Sequence, residues 1–316
     1  MIIVVMYRAP LRAAPTALLA LGLAMVASGC AAVTSTDHRS DGKLQVVVAF
    51  YPLQFVAQQV GGDRVSVTNL VQPGVEPHDL ELTPRQVAQV VDADAVIYLG
   101  GFQPAVDSAV TETKKRKALD VSTVSSQHDG YVPVEDGKAQ KKEKGKDPHV
   151  WLDPIRMARI TDAVAKKLAA LDPDHAAEYT ANARALDTKL TALDGEYQVG
   201  LASCVRKTIV VSHNAFGYLA ERYGLNQVPI TGLTPDQEAS ATRLAEVATY
   251  ARKNGVTVIF FETLVSPKIA EALAREVGAK AEVLDPIEGL AANSQADYFT
   301  VMRSNLTTLR SALSCR

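Results

Sequence analysis

From Leu44 onward the chain alternates short apolar runs with longer amphipathic ones, and that alternation calls for an α/β fold. Residues 44–50 (LQVVVAF) form a continuous apolar run, as in a parallel strand buried on both faces. Residues 53–60 then read as helix, 65–70 as strand, 84–91 as helix, 95–99 (AVIYL) as strand and 102–110 as helix. A second series runs through strand 208–211, helix 215–223, strand 227–230, helix 241–253, strand 256–261, helix 266–277 and strand 281–284. It closes on a helix marked by Tyr298, Met302, Leu306, Leu309 and Leu313. Between the two series, Met157, Ile160, Val164, Leu168 and Leu171 recur at helical spacing after an Asp153-Pro154 start. Pro173 then opens a longer run through Tyr179, Ala183, Leu186, Leu190, Leu193, Tyr197 and Leu201. At ~1.5 Å per residue such a helix reaches about 40–45 Å, more than one small lobe needs. The expected architecture is therefore α/β with two lobes, 44–172 and 204–316. Each is a mostly parallel sheet with covering helices, and one long rigid helix over 173–203 joins them. A length of 316 residues suits two domains.

The first thirty residues read as an export signal. Arg8 and Arg12 precede a ten-residue apolar core at 17–26, too short to span a bilayer as a helix. Residues 26–30 (VASGC) resemble a bacterial lipobox, with Ala27 where leucine is usual. The expectation is a signal over 1–29, a lipidated Cys30, a small polar tether over 30–43, and a chain held on the outer face of the cell membrane. Plain signal cleavage with an incidental Cys30 is the alternative. A net charge of −2 gives no reason to expect a nucleic acid partner. Residues 137–146 (GKAQKKEKGK) carry five lysines and no large apolar side chain, so 120–147 reads as a mobile loop.

Three of the six histidines stand where elements end. His78 follows the strand closing at Leu70, His149 precedes the helix opening at Pro154, and His213 follows the strand 208–211. Asp285 comes directly after the strand 281–284. In open parallel sheets, ligands bind beyond the carboxyl ends of the strands, so these four residues would meet in the cleft between lobes. Three imidazoles and a carboxylate make a donor set suited to zinc. Spacing alone leaves a ligand role and an ordinary loop role both open for each histidine. Glu76 or Glu262 could replace or supplement Asp285, although Glu262 reads better as a hydrogen-bonding partner. His38, His128 and His175 read as solvated.

Longer segments resemble one family, the metal-binding lipoprotein receptors of zinc and manganese ABC importers. They are 50–53 (FYPL), 73–84 (PGVEPHDLELTP), 147–154 (DPHVWLDP), 212–218 (SHNAFGY), 232–240 (GLTPDQEAS) and 261–268 (FETLVSPK). The resemblance covers residues 44–316 and implies a zinc ion held between the lobes by His78, His149, His213 and Asp285. It also implies a monomeric receptor, without catalysis, that hands Zn2+ as cargo to an ABC permease driven by its ATPase. Manganese receptors of the family carry glutamate where this chain has His213, and imidazole favours zinc. Many zinc members have a loop rich in His, Asp and Glu before the second histidine; here that loop is lysine-rich, which argues against a second metal site.

A manganese or iron receptor of the same family, a zinc metallohydrolase and an adhesin are the competing readings. No His-Glu-x-x-His helix or Gly-x-Ser-x-Gly turn supports hydrolysis. Cys204 and Cys315 would both meet oxidising conditions after export, and a bridge between them would staple the C-terminus to the second lobe; two buried free thiols are the alternative.

Overall fold

Two four-stranded parallel sheets carry the fold of the computed structural model, which describes residues 42–113, 117–129, 134–135, 138–139 and 145–316. The expected signal, Cys30 and nearly all of the tether lie outside these residues, as does much of the lysine-rich stretch. In chain order the first half runs β1 (Leu44–Val48), α1 (Tyr51–Gly61), β2 (Val65–Asn69), α2 (Pro84–Asp92), β3 (Ala95–Tyr98), α3 (Pro104–Thr111), β4 (Ala118–Asp120) and α4 (Ser122–Ser125). A two-residue pair follows, β5 (Val134–Glu135) and β6 (Lys138–Ala139), then α5 (Pro154–Leu171) and α6 (Ala176–Ala202). The second half runs β7 (Thr208–Val211), α7 (Gly217–Tyr223), β8 (Asn226–Pro229), α8 (Ala241–Lys253), β9 (Val258–Phe261), α9 (Lys268–Val277), β10 (Lys280–Val283) and α10 (Tyr298–Leu313).

The sheet orders are β2-β1-β3-β4 and β10-β9-β7-β8. Central strands of both sheets are buried on both faces, which is why they read as unbroken apolar runs rather than alternating ones. β4 was not legible: its three residues are only half-buried and lie at a sheet edge. Only Asp120 of β4 falls in the stretch expected as a loop, where the short helix α4 follows.

The long helix α6 runs 27 residues, about 40 Å. Along its first half Asn182 Nδ2 donates to the carbonyl of Val60 at the end of α1. Along its second half the Tyr197 hydroxyl donates to the carbonyl of Met302 in α10, and Asp194 accepts from Arg222 and Tyr223 of α7. One helix therefore packs on elements of both sheets, and the large apolar core runs continuously past it. Gly200 has a packing reason: a Cβ there would lie 3.0 Å from a methyl of Leu306, so its absence lets α6 and α10 approach.

Cys204 and Cys315 form a disulfide, joining the chain after α6 to the residue beyond α10. Among the described residues no helix is long and apolar enough to cross a membrane.

His128, expected to be solvated, keeps a partly exposed side chain but is anchored by defined partners. Its ring packs 4.2 Å from that of Tyr218, its Nε2 lies 2.9 Å from a carboxylate oxygen of Glu221, and its backbone N–H donates to the Tyr218 hydroxyl. The tyrosine offers an aromatic face and the glutamate an acceptor, neither of which sequence neighbourhood reveals.

Candidate metal centre

Each of the three predicted histidines projects from a segment tied down by its own hydrogen bonds. His78 lies in the loop after β2, where its backbone N–H donates to the Glu76 carboxylate at 3.0 Å and its ring meets Phe102 edge-on at 4.7 Å. Gln103 Nε2 donates to the Pro77 carbonyl at 3.0 Å, holding that loop against the start of α3. His149 lies in the turn leading to Asp153, the residue whose side chain caps α5. Asp147 Oδ1 accepts from both the backbone N–H and the Nδ1–H of His149, at 2.9 and 2.8 Å. The Tyr218 hydroxyl in turn donates to the Asp147 carbonyl. His213 stands just past β7, and its Nδ1–H donates to Glu262 Oε1 at 2.6 Å. The Ser212 hydroxyl donates to the same oxygen.

These outer carboxylates decide the tautomers. An ionised carboxylate only accepts, so Nδ1 of His149 and His213 carries the proton and Nε2 of the neutral ring presents its lone pair. Both Nε2 atoms face inward: they lie 3.2 Å apart. Nε2 of His78 joins them, and the fourth group is the carboxylate of Glu288. Its Oε1 lies 3.3 Å from His78 Nε2, 3.0 Å from His149 Nε2 and 3.2 Å from His213 Nε2. All four residues are buried, none more than 6% exposed.

Electrostatics follow from this crowding. Burial alone would lower the proton affinity of His149, but Asp147 and Glu288 reverse the direction and raise its pKa. Burial likewise opposes protonation of His213, yet Glu262 and Glu288 raise its pKa well above the ordinary value. Burial pushes Glu288 up, but the three histidines hold it well below the usual carboxylate range. His78 goes the other way: burial lowers its pKa and Glu288 only partly offsets this. Glu76 is pushed up to about 8, chiefly by burial and then by the charge on Glu288.

The expected fourth residue, Asp285, is not in this cluster. Its carboxylate is used in its own turn, accepting from the Ile287 N–H at 2.7 Å and from the Thr263 hydroxyl at 2.6 Å. The carboxylate that faces the imidazoles comes three residues later. Ile287 adopts the left-handed region with φ +58°, a conformation that costs a β-branched residue about 1–3 kcal/mol. That reversal turns Glu288 into the cleft. The sequence signal that could have found it is slight: an acidic residue, flanked by glycine, within a short irregular segment after the last strand. Glu262, considered earlier as a substitute ligand, is the partner of His213. His175, at the start of α6, pairs with Asp172 at 2.8 Å and is remote from the cluster.

The family described as "Zinc-uptake complex component A periplasmic" (ZnuA) matches residues 46–312. This chain belongs to the ZnuA family. The high-affinity zinc uptake system protein ZnuA of Bacillus subtilis is 36% identical over 293 residues, covering 88% of this chain and 90% of that protein. The zinc-binding lipoprotein AdcA of Streptococcus pneumoniae is 37% identical over 300 residues, covering 90% of this chain and 60% of AdcA. The chain thus spans little more than half the length of the AdcA relatives it matches. Among solved structures, the Zn(II)-bound ZnuA-like domain of S. pneumoniae AdcA superposes with a TM-score of 0.71 at 36% identity, covering 86% of this chain and 99% of that domain. The two parallel-sheet lobes and the long helix are shared with the ZnuA-type solved structures that this chain matches.

Proposed function

We propose that this chain is an extracytoplasmic receptor that captures Zn2+ with His78, His149, His213 and Glu288 and delivers it to an ABC importer. One observation carries the reading. A tetrahedral zinc shell with bonds of ~2.0–2.1 Å has ligand-to-ligand edges of about 3.3–3.4 Å. Four of the six edges here measure 3.3, 3.0, 3.2 and 3.2 Å. The donor set also suits zinc over manganese, which favours carboxylates and water. Three neutral imidazoles and one carboxylate leave the loaded site at +1, and Asp147 and Glu262 behind two of the rings offset that charge. Four protein ligands leave no position for an activated water, which favours carriage over hydrolysis. The ZnuA family membership supports a permease and its ATPase as the receiving partners, and the lipobox-like residues 26–30 together with the lipoprotein relative AdcA support a lipid anchor at Cys30, which lies outside the described residues.

Calorimetry with the purified chain tests this directly. One zinc per chain is expected, bound more tightly than manganese. Glu288→Gln keeps the shape but offers a neutral amide oxygen, and should weaken zinc binding by about ten- to a hundredfold, a fraction of one ligand's share of a zinc site. Wild-type affinity in that variant would remove Glu288 from the shell. For delivery, deletion of the gene should halt growth in zinc-depleted medium and be rescued by added zinc.

Acid should release the ion. His149 and His213 hold protons more strongly than an ordinary imidazole, so zinc must displace those protons to bind. With folded pKa values raised, competition begins at higher pH and grows as pH falls. Each displaced proton costs up to about tenfold in affinity per pH unit below the pKa. From pH 7.5 to 5.5 the zinc affinity should drop by at least about tenfold, with proton release measurable in buffers of different ionisation enthalpy. A flat affinity across that range would contradict the mechanism.

A further inference from the structure

We propose that Asp285 is a positioning residue that aims Glu288 at the ion, and so governs affinity without touching the metal; this rests on the zinc reading above. Every polar group of Asp285 is engaged. Its N–H donates to Asn305 Oδ1 at 3.0 Å and its carbonyl accepts from Asn305 Nδ2 at 2.7 Å. Its carboxylate spans the turn, one oxygen on the Ile287 N–H and the other on the Thr263 hydroxyl. Asn305 is a buried residue of α10, and Thr263 follows β9.

The turn from Asp285 to Glu288 is thus pinned to two elements of its own half. It is pinned to the other half by Trp151, whose indole N–H donates to the Pro286 carbonyl at 2.6 Å. The Tyr298 hydroxyl, on α10, holds the Trp151 carbonyl at 2.7 Å. Between these anchors sits Ile287, fully buried and left-handed. Isoleucine does not favour that conformation, so something must hold it, and the bond from its N–H to Asp285 Oδ1 is the direct restraint. Without that bond the peptide can rotate towards an extended form, and the side chain of the next residue swings away from the three Nε2 atoms. A strand-end aspartate that resembles a ligand by position therefore acts through its neighbour. Its carboxylate is consumed in defining the direction of another.

The test compares zinc affinities, with melting temperature as a separate readout. Asp285→Ala should weaken zinc binding about ten- to a hundredfold, the usual effect of losing a group that orients a ligand. Asp285→Asn keeps an oxygen for the Ile287 N–H and should recover most of that loss. In a Glu288→Ala background, Asp285→Ala should cost nothing further, because its route of action is gone. Cobalt(II) loaded into Asp285→Ala should show weakened visible bands, and so should cobalt(II) in Glu288→Ala. The proposal is overturned if Asp285→Ala binds zinc like the wild type. It is equally overturned if the asparagine variant loses as much as the alanine one, or if the losses at 285 and 288 add. Should the alanine variant fail to fold, Thr263→Val removes only the hydroxyl donor and carries the same reading. It predicts a loss of about three- to tenfold that vanishes in the Glu288→Ala background. A wild-type chain that binds no zinc would instead defeat the receptor reading itself.

Discussion

His213→Glu should lower zinc affinity by about a hundred- to a thousandfold and, by itself, should fail to create a manganese site. Binding energies of about 10–16 kcal/mol for four-ligand zinc sites imply roughly 2.5–4 kcal/mol for each ligand, or two to three decades in affinity. The variant loses an imidazole, and its replacement meets acid on both sides. Glu262 Oε1 lies 2.6 Å from His213 Nδ1, and Glu288 Oε1 lies 3.2 Å from its Nε2. A third carboxylate there is buried between two others, and like charges at such distances in low dielectric oppose ionisation. The family resemblance suggests that one exchange would convert zinc preference to manganese preference; the geometry says that Glu262 must change with it. His213→Glu with Glu262→Gln should bind manganese more tightly than His213→Glu alone, since the amide can donate to the new carboxylate. Metal analysis and calorimetry on the three proteins decide the matter. A single variant that purifies loaded with manganese would refute the argument.

Removing the disulfide should lower stability by about 2–4 kcal/mol while leaving zinc affinity within about threefold of the wild type. Cys204 and Cys315 are 111 residues apart, so the bridge closes a long loop in the unfolded chain. The chain-entropy ceiling for such a loop is about 4–5 kcal/mol, and measured effects usually fall below it. In the folded state the bridge ties the segment between α6 and β7 to the chain just beyond α10. His213 stands beyond the other end of β7, so the stapled edge and the site lie at opposite ends of the same strand. Denaturant unfolding of Cys204→Ala/Cys315→Ala beside the oxidised wild type measures the loss. Equal midpoints would show that helix packing alone secures the C-terminus, and a large drop in zinc affinity would show that the two regions are coupled.

The parallel sheets and the long helix were legible because both are written in periodicity. Residues such as Val46, Val48, Val96 and Ile97 are apolar whichever face they turn, and only a sheet covered on both sides buries them all. The three-to-four spacing from Tyr179 to Leu201 describes a single stripe, and the structure buries that whole stripe against elements of both halves. Two of the histidines, His149 and His213, were legible for a related reason: each stands close to an element that fixes its direction, whereas His78 lies mid-loop between β2 and α2. His149 precedes a helix capped by Asp153, and His213 follows β7 immediately.

What the sequence by itself determined, then, is the layered α/β architecture and the long connecting helix, with three imidazoles marked as candidates. The tertiary structure decided the rest of the site. Asp285 ends its strand as a ligand would, but its carboxylate finds an amide and a hydroxyl closer at hand. Glu288 reaches the cleft because a left-handed Ile287 reverses the chain, and neither its conformation nor its anchors at Thr263, Asn305 and Trp151 follow from any local pattern. Asp147 and Glu262 acquire their roles in the same way, one through a turn and one across a sheet. Periodicity records which face of a segment avoids water. The direction of a single side chain in an irregular turn depends on partners far away in sequence, and only the folded chain brings them together.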